Sequence, residues 1–410
     1  MADEEEQFLC PPRDKEDYPP RFRQESAYNP LSTFHLAPGE TRNYQQQYAD
    51  MYFLRLARLK PVVSQIAAAE WEGFTHWTAA PPRRKTYLDT SNQESAQTML
   101  EDESGRLRLT GTLLQSALLV TGAVVAVLGT ENANGDFEVI DVKVPDLPPQ
   151  PTRWERDSTD SGSGKRKRSL LDTADDGPRK KIAFVSGLGI TGTSGDTVAL
   201  SLLADYLLGF AEGGSIPTNS TQISRLIIVG NSLGRDVSLN LEEQDANEAV
   251  KKKRQTKKYG YDASAYNASP ITHLDNFLAE ILPSIPVTLM PGETDPANFA
   301  LPQQAIHRAM FPRSRNYCSP PRSSLEEVQS EPGWLDTVTN PWQGDVEGWR
   351  LWGCSGQNVD DVLKYISLDD DEIETSRDPE GDTRLRLMEA MLRWRCAVPT
   401  APDTILRLAS

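Results

Sequence analysis

The chain has 410 residues, enough for two to three domains, and with 38 % hydrophobic residues and 29 prolines a fair part of it is expected to be loop. Its net charge of −16 argues against an extended surface that tracks nucleic-acid phosphates, because that affinity rests on neutralising backbone charge. Cys10, Cys318, Cys354 and Cys396 form no C-x-x-C pair, no apolar run approaches the roughly 18 residues of a membrane span, and the acidic start MADEEEQFL is not a signal-peptide pattern.

Residues 1–40 are acidic and proline-bearing, and are expected to be a disordered tail. From Thr41, the residues Tyr44, Tyr48, Tyr52, Leu56 and Leu59 recur at spacings of three or four, which predicts a helix that Pro61 interrupts. Residues 97–150 turn to β: Leu107 and Leu109 alternate with Arg106, Arg108 and Thr110, and Leu118–Leu128 is nearly continuous apolar chain carrying Gly122. Asn134-Gly135 before Phe137 and Val139 is a hairpin signal. Short strands with an internal glycine suit a small curved barrel of the OB type. Such a barrel raises single-stranded DNA binding as an alternative function, although its strands offer few aromatics for base stacking.

Residues 151–181 read as a Ser/Gly-rich linker holding two basic clusters, Lys165-Arg166-Lys167-Arg168 and Arg179-Lys180-Lys181, the spacing of a bipartite nuclear import signal. From Ile182 the pattern becomes α/β. Strands are expected at 182–185, 227–229 and 287–290, with helices at 198–210 and 271–282 between them, and an exposed polar insertion runs from Arg235 to Tyr261. A parallel sheet places its sites at the C-terminal strand ends, and all three ends here carry glycine.

A two-metal phosphoesterase needs Asp, Asn and His converging at those ends, in motifs of the form D-x-H, G-D-x-x-D and G-N-H-D/E. This chain has Ser186-Gly187-Leu188 at the first end, so both ligands are gone. At the second, Gly230-Asn231-Ser232-Leu233-Gly234 puts Asn231 in place of the bridging aspartate and Gly234 in place of the following acid. At the third, Gly292-Glu293-Thr294-Asp295 retains the acids but has Thr294 where histidine belongs. The four histidines, His35, His76, His273 and His307, have no partners at metal spacing. Ser186 lacks a G-x-S-x-G context. Gly187 to Gly192 has G-x-G-x-x-G spacing without the acidic residue about 20 positions on, so its glycines read as tight turns. Asp369-Asp370-Asp371-Glu372 reads as a solvated loop. No catalytic centre, metal or cofactor is expected. The enzyme alternative is a residual metal-dependent phosphodiesterase using Asn231, Glu293 and Asp295.

Five motifs then follow in order: P-G-E-T-D-P-A-N from Pro291, L-P-Q-Q-A-I-H-R-A-M-F-P (301–312), T-N-P-W (339–342), G-C-S-G-Q-N-V (353–359) and P-T-A-P-D-T (399–404). Together with V-S-G-L-G, V-G-N and Q-Q-Q-Y (45–48), they closely resemble the small (second, B) subunit family of replicative DNA polymerase delta, over nearly all the chain from about residue 41. The resemblance implies an OB-type barrel joined to a calcineurin-like phosphoesterase-type α/β domain without its metal ligands. It implies an architectural role: holding the cysteine-rich C-terminal domain of the catalytic subunit and docking a third subunit, with DNA reached mainly through the complex. The basic clusters point to the nucleus. The expected organisation is a tail over 1–40, a helix and OB-like domain over 41–150, the linker over 151–181, the inactive phosphoesterase-like domain over 182–404 and a divergent tail over 405–410. Members of that family are expected to continue beyond P-T-A-P-D-T, so the fold is expected to be truncated at its C-terminus, with apolar surface and sheet edges left open.

Overall fold

Hydrophobic patterning resolves into two kinds of sheet. The structure is a computed structural model, and it describes residues 23, 26–31, 34–35, 47–71, 77–84, 98–102, 105–149, 180–211, 220–234, 268–318, 333–365 and 383–401. In chain order the strands are β1 (Tyr28–Leu31), β2 (Trp77–Arg84), β3 (Thr98–Glu101), β4 (Arg106–Thr110), β5 (Val125–Glu131), β6 (Phe137–Lys143), β7 (Lys181–Val185), β8 (Ile223–Val229), β9 (Val287–Met290), β10 (Leu335–Thr337), β11 (Trp342–Val346) and β12 (Trp349–Gly353). The helices are α1 (Gln47–Glu70), α2 (Leu113–Ser116), α3 (Ser194–Leu208), α4 (Ser269–Ile281), α5 (Gln357–Leu363) and α6 (Thr383–Arg393). Two compact units form, each from two stretches of chain: Met1–Leu36 with Trp154–Ser355, and Ala37–Arg153 with Gly356–Ser410.

In the second of these units, β2-β3-β4-β6-β5 close into a barrel whose pairs are antiparallel except β4 with β6. Period-two alternation sends Leu100, Leu109, Val125, Val127, Phe137 and Val139 into its interior. The β5–β6 turn sits where Asn134-Gly135 predicted it. Gly135 takes φ +80°, and the Asn132 side chain accepts from the backbone N–H of Asn134 and Asp136, both at 3.0 Å. The apolar run from Leu118 enters a strand only at Val125, after a turn at Gly122.

Helix α1 runs straight through Pro61, contrary to the expected break. An interior proline costs about 3 kcal/mol or more. Against that, Leu56, Val63, Ala67 and Trp71 bury one face on Val124 and Ala126 of the barrel wall, and large side chains contribute about 1.5–3 kcal/mol each. Tertiary packing therefore outweighs local propensity. Residues 356–401 also differ from the contiguous domain expected over 182–404. Val362 of α5, Leu387 and Met391 of α6, and Trp394 pack on Val120 and Ala123, so this stretch completes the barrel's unit.

In the other unit, β10-β9-β8-β7 form a four-stranded parallel sheet. Strands β8 and β9 are buried along almost their whole length and are apolar at Leu226–Val229 and at Val287, Leu289 and Met290, as strands covered on both faces require, while the buried Arg225 donates to the Thr288 hydroxyl at 2.9 Å. Helix α4 sets Ile271, Leu274, Phe277, Leu278 and Ile281 against the sheet at three- and four-residue spacing. A smaller antiparallel sheet, β1-β11-β12, packs Trp342 and Val346 with Ile227 and Met290. Its strand β1 comes from within the expected disordered tail, which is a correction. The Arg225 guanidinium lies 3.8 Å from the centre of the Tyr28 ring, and the Tyr28 hydroxyl donates to Asp336. Arg23 donates to the carbonyls of Leu207, Ser220 and Ile223, fixing the approach to that strand. At the edge of the parallel sheet β7 presents an exposed Phe184, and α3 exposes Val198, Leu202 and Tyr206 in one stripe, followed by Phe210. Among the described residues no helix is long and apolar enough to cross a membrane.

Candidate functional site

The parallel strands β7, β8, β9 and β10 deliver four loops to one end of their sheet, and these loops bond to one another. Gly187 N–H donates to Gly230 O at 3.1 Å, Gly189 N–H to Asn231 O at 3.2 Å, Ile190 N–H to Ser232 O at 3.0 Å, and Gly234 N–H to Ile190 O at 2.8 Å. The loops after β7 and β8 are thus zipped together by their backbones. Ser186 donates its hydroxyl to Val229 O at 3.0 Å, and Leu188 packs against the main core. Neither faces a shared centre.

The loops after β8 and β9 are joined by side chains. Asp295 is 5 % exposed, and its carboxylate accepts from Leu233 N–H at 2.9 Å and Gly292 N–H at 2.8 Å. Burial pushes this carboxyl above the usual carboxylate range, against the lowering effect of the N–H groups of Leu233, Gly292, Ser232 and Asn231. Asn231 holds the left-handed conformation at φ +55°, and its side-chain oxygen lies 3.4 Å from both the N–H and the hydroxyl of Thr294. The Thr294 hydroxyl also donates to Leu233 O. A Cβ on Gly292 would lie 2.3 Å from Asn231 N, so only glycine lets the two loops touch. Glu293 is exposed at the rim.

The β10 loop is tied in by residues that the sequence reading did not single out. Gln303 and Asn340 exchange backbone hydrogen bonds of 2.7 and 3.0 Å, Asn340 Nδ2 donates to Gln303 Oε1 at 2.8 Å and to Ser355 Oγ at 2.7 Å, and Gln303 Nε2 donates to Gly292 O at 3.1 Å. Both side chains are fully buried. The available signal was the motifs themselves, since L-P-Q-Q supplies Gln303, T-N-P-W supplies Asn340, and G-C-S-G supplies Ser355.

The seven predicted positions therefore divide. Asn231, Gly234, Thr294 and Asp295 lie together at the junction of loops, but their polar groups are engaged in crosslinks within it. Ser186, Leu188 and Glu293 point elsewhere or lie at its margin. Among the described residues no three His, Cys, Asp or Glu side chains are grouped as metal ligands. His307 accepts from Ala309 N–H at 3.2 Å in a short turn, and His273 lies on α4.

The glycine spacing of Gly187–Gly192 has a structural occupant of its own. Asp196, in the first turn of α3, accepts from the N–H groups of Thr191 at 2.8 Å, Gly192 at 2.7 Å and Thr193 at 3.2 Å. Desolvation opposes its ionisation, yet these N–H groups hold its carboxyl below the usual range. The donors that would cradle a phosphate are filled by the protein's own carboxylate. Of the proposed import residues, Lys165, Arg166, Lys167, Arg168 and Arg179 lie outside the described residues. Lys180 pairs with Glu347 at 3.0 Å, and Lys181 begins β7.

A parallel sheet whose strand-end loops are crosslinked to one another, in a chain that also carries a five-stranded barrel, defines a class recognisable in known proteins. A family model for the second (B) subunit of DNA polymerases alpha and epsilon matches residues 182–409, and one described as DNA polymerase delta subunit OB-fold domain matches residues 74–142. The chain is 33 % identical over 339 residues to the DNA polymerase delta small subunit of Saccharomyces cerevisiae, an alignment covering 80 % of this chain and 59 % of the yeast protein. It is 30 % identical over 425 residues to the small subunit of Arabidopsis thaliana, covering 93 % and 80 %, and 27 % identical over 431 residues to DNA polymerase delta subunit 2 of Drosophila melanogaster, covering 93 % and 82 %. The chain belongs to the DNA polymerase delta small-subunit family.

Proposed function

We propose that this chain is a non-catalytic accessory subunit of a replicative DNA polymerase delta, working in the nucleus in replication and repair synthesis. Its parallel-sheet unit is read as a calcineurin-like phosphoesterase fold converted from a metal centre into a rigid junction. The observation that carries this reading is Asp295. The acid best placed to bind a metal is buried and accepts two backbone N–H groups, so ligation would forfeit both bonds in a site with little solvent to replace them. Asn231 and Thr294 are likewise turned to each other. The partners in this reading are the cysteine-rich C-terminal domain of the catalytic subunit and a third subunit, with DNA contacted mainly through the complex.

A direct test of the non-catalytic part is phosphodiesterase activity. The full chain, dialysed against chelator and then supplied with manganese, is assayed on a chromogenic phosphodiester and on single-stranded DNA. The expected result is no turnover above the buffer rate. Manganese-dependent turnover abolished by Asp295→Ala would reinstate the enzyme reading.

A further inference from the structure

The stretch from Pro296 to Leu325 carries four arginines and no acidic residue, in a chain of net charge −16. Three of them, Arg308, Arg313 and Arg315, are exposed in and between two short helical turns, Arg308–Met310 and Arg315–Tyr317. Arg322 lies outside the described residues. The turns are pinned from beneath. The buried Phe311 joins them, its N–H donating to Arg308 O at 3.1 Å and its carbonyl accepting from Arg315 N–H at 2.8 Å. Asp275, buried on α4, accepts from the N–H groups of Arg313 at 2.9 Å and Ser314 at 3.0 Å, and the Ser314 hydroxyl donates to Asp275 O at 3.1 Å. Ser314 is thus held inside while an arginine emerges on either side of it. Burial pushes the Cys318 thiol up, against the positive charge of Arg308, and Cys318 N–H donates to Arg315 O at 3.2 Å, so the first turn lies beside the second. Among the described residues no carboxylate pairs with any of the three guanidinium groups.

We infer that this loop is a contact for the phosphate backbone of nucleic acid, made by Arg308, Arg313 and Arg315. Charge without apolar surface selects that occupant. Phosphates are recognised by guanidinium groups alone, whereas a protein helix or a membrane surface is also held by large apolar anchors. No large apolar side chain between Gln303 and Cys318 is exposed. The pinned backbone presents the arginines without an ordering cost in the loop itself. Three contacts make a local site rather than an extended track, which accords with the acidic charge of the whole chain. The site adds a direct nucleic-acid contact to a chain otherwise expected to reach DNA through partners. It is tested on this chain alone, so it stands or falls apart from the polymerase reading.

The test reads fluorescence anisotropy of a short fluorescein-labelled DNA duplex against the full chain at about 50 and 200 mM salt. Each neutralised phosphate contributes a slope of about −0.9 in log affinity against log salt, so three contacts weaken binding roughly 40-fold over that range. Arg313→Gln with Arg315→Gln should remove two of them, which weakens binding at low salt and reduces the salt-dependent loss by about twelvefold. Arg313→Lys with Arg315→Lys should keep the slope, because an ammonium also neutralises a phosphate, and this separates a charge role from a structural one. Circular dichroism confirms that each variant is folded. A duplex of different sequence should bind equally, since backbone contacts carry no sequence information. Undetectable binding at low salt would overturn the proposal. So would a slope that the glutamine pair leaves unchanged, since that assigns the binding to other basic segments such as Lys165–Arg168. Tighter binding of a fluorescein-labelled glutamate-rich peptide than of the duplex, lost in the glutamine pair, would assign the loop to an acidic protein instead.

Discussion

Replacing Asp295 by alanine separates a structural carboxylate from a metal ligand. The side chain is 5 % exposed and holds the N–H groups of Leu233 and Gly292 at 2.9 and 2.8 Å. Leaving each buried N–H without its acceptor costs about 1–3 kcal/mol, or about 2–6 kcal/mol for both. Relief of the buried charge offsets part of that, so the expected loss at neutral pH is about 2–4 kcal/mol. For a unit of this size the melting temperature should fall by roughly 5–15 °C. The pH dependence has a definite sign. Burial raises the folded carboxyl above its unfolded value, so the folded chain binds the proton more tightly. The native group's contribution is therefore greatest in acid and shrinks as pH rises through the raised folded value. The assay is differential scanning fluorimetry of both proteins across pH, with and without manganese. A metal site would raise the native melting temperature with manganese and leave the variant unmoved. That pattern, or coincident melts of the two proteins without metal, would refute the reasoning.

Other perturbations have equally definite outcomes. Asp196→Ala should cost about 1 kcal/mol in urea unfolding at neutral pH, as loss of a helix cap does. Because the folded carboxyl sits below its usual range, the difference should hold above the unfolded value and vanish as pH falls through the folded one. Arg55 of α1 donates to Gly122, Pro399 and Ala401 carbonyls at 3.2, 2.7 and 2.9 Å, so Arg55→Ala should destabilise by about 2–4 kcal/mol, with Arg55→Lys recovering less than half, as read by urea midpoints. Leu202→Glu with Phe210→Ser should reduce any self-association in sedimentation velocity while changing stability by no more than about 0.5 kcal/mol, because both apolar side chains are exposed, one on α3 and one just after it.

The buried parallel strands were legible in the sequence because a strand covered on both faces is mostly apolar, as Leu226–Val229 of β8 and Val287, Leu289 and Met290 of β9 are. The β5–β6 hairpin was legible because φ > 0 at its turn calls for glycine. Strand β2 was not: W-T-A-A-P-P-R-R carries two prolines and no alternation, and closing the barrel fixes it in place. Strand β1 was hidden for a related reason, since its partner β11 lies more than 300 residues away and no local pattern announces such pairing. Pro61 shows tertiary packing overriding a local breaker. At the strand ends, the mismatch to the D-x-H, G-D-x-x-D and G-N-H-D/E patterns was readable. The crosslinking use of Asp295 was not, because a carboxylate that accepts backbone N–H groups and one that binds a metal are the same letter. Asp196 was recoverable: Thr193 followed three residues later by an acid, just before an apolar run, is a helix-start pattern that assigns the neighbouring glycines to a cap.

The measurement that bears most directly on the central claim is co-purification with the cysteine-rich C-terminal domain of the polymerase delta catalytic subunit, read on a sizing column. The account predicts a stoichiometric complex that survives chelator and is retained by Glu293→Ala, since no metal in this chain is needed. Two separate peaks, both for this chain and for a relative spanning the whole family length, would contradict it.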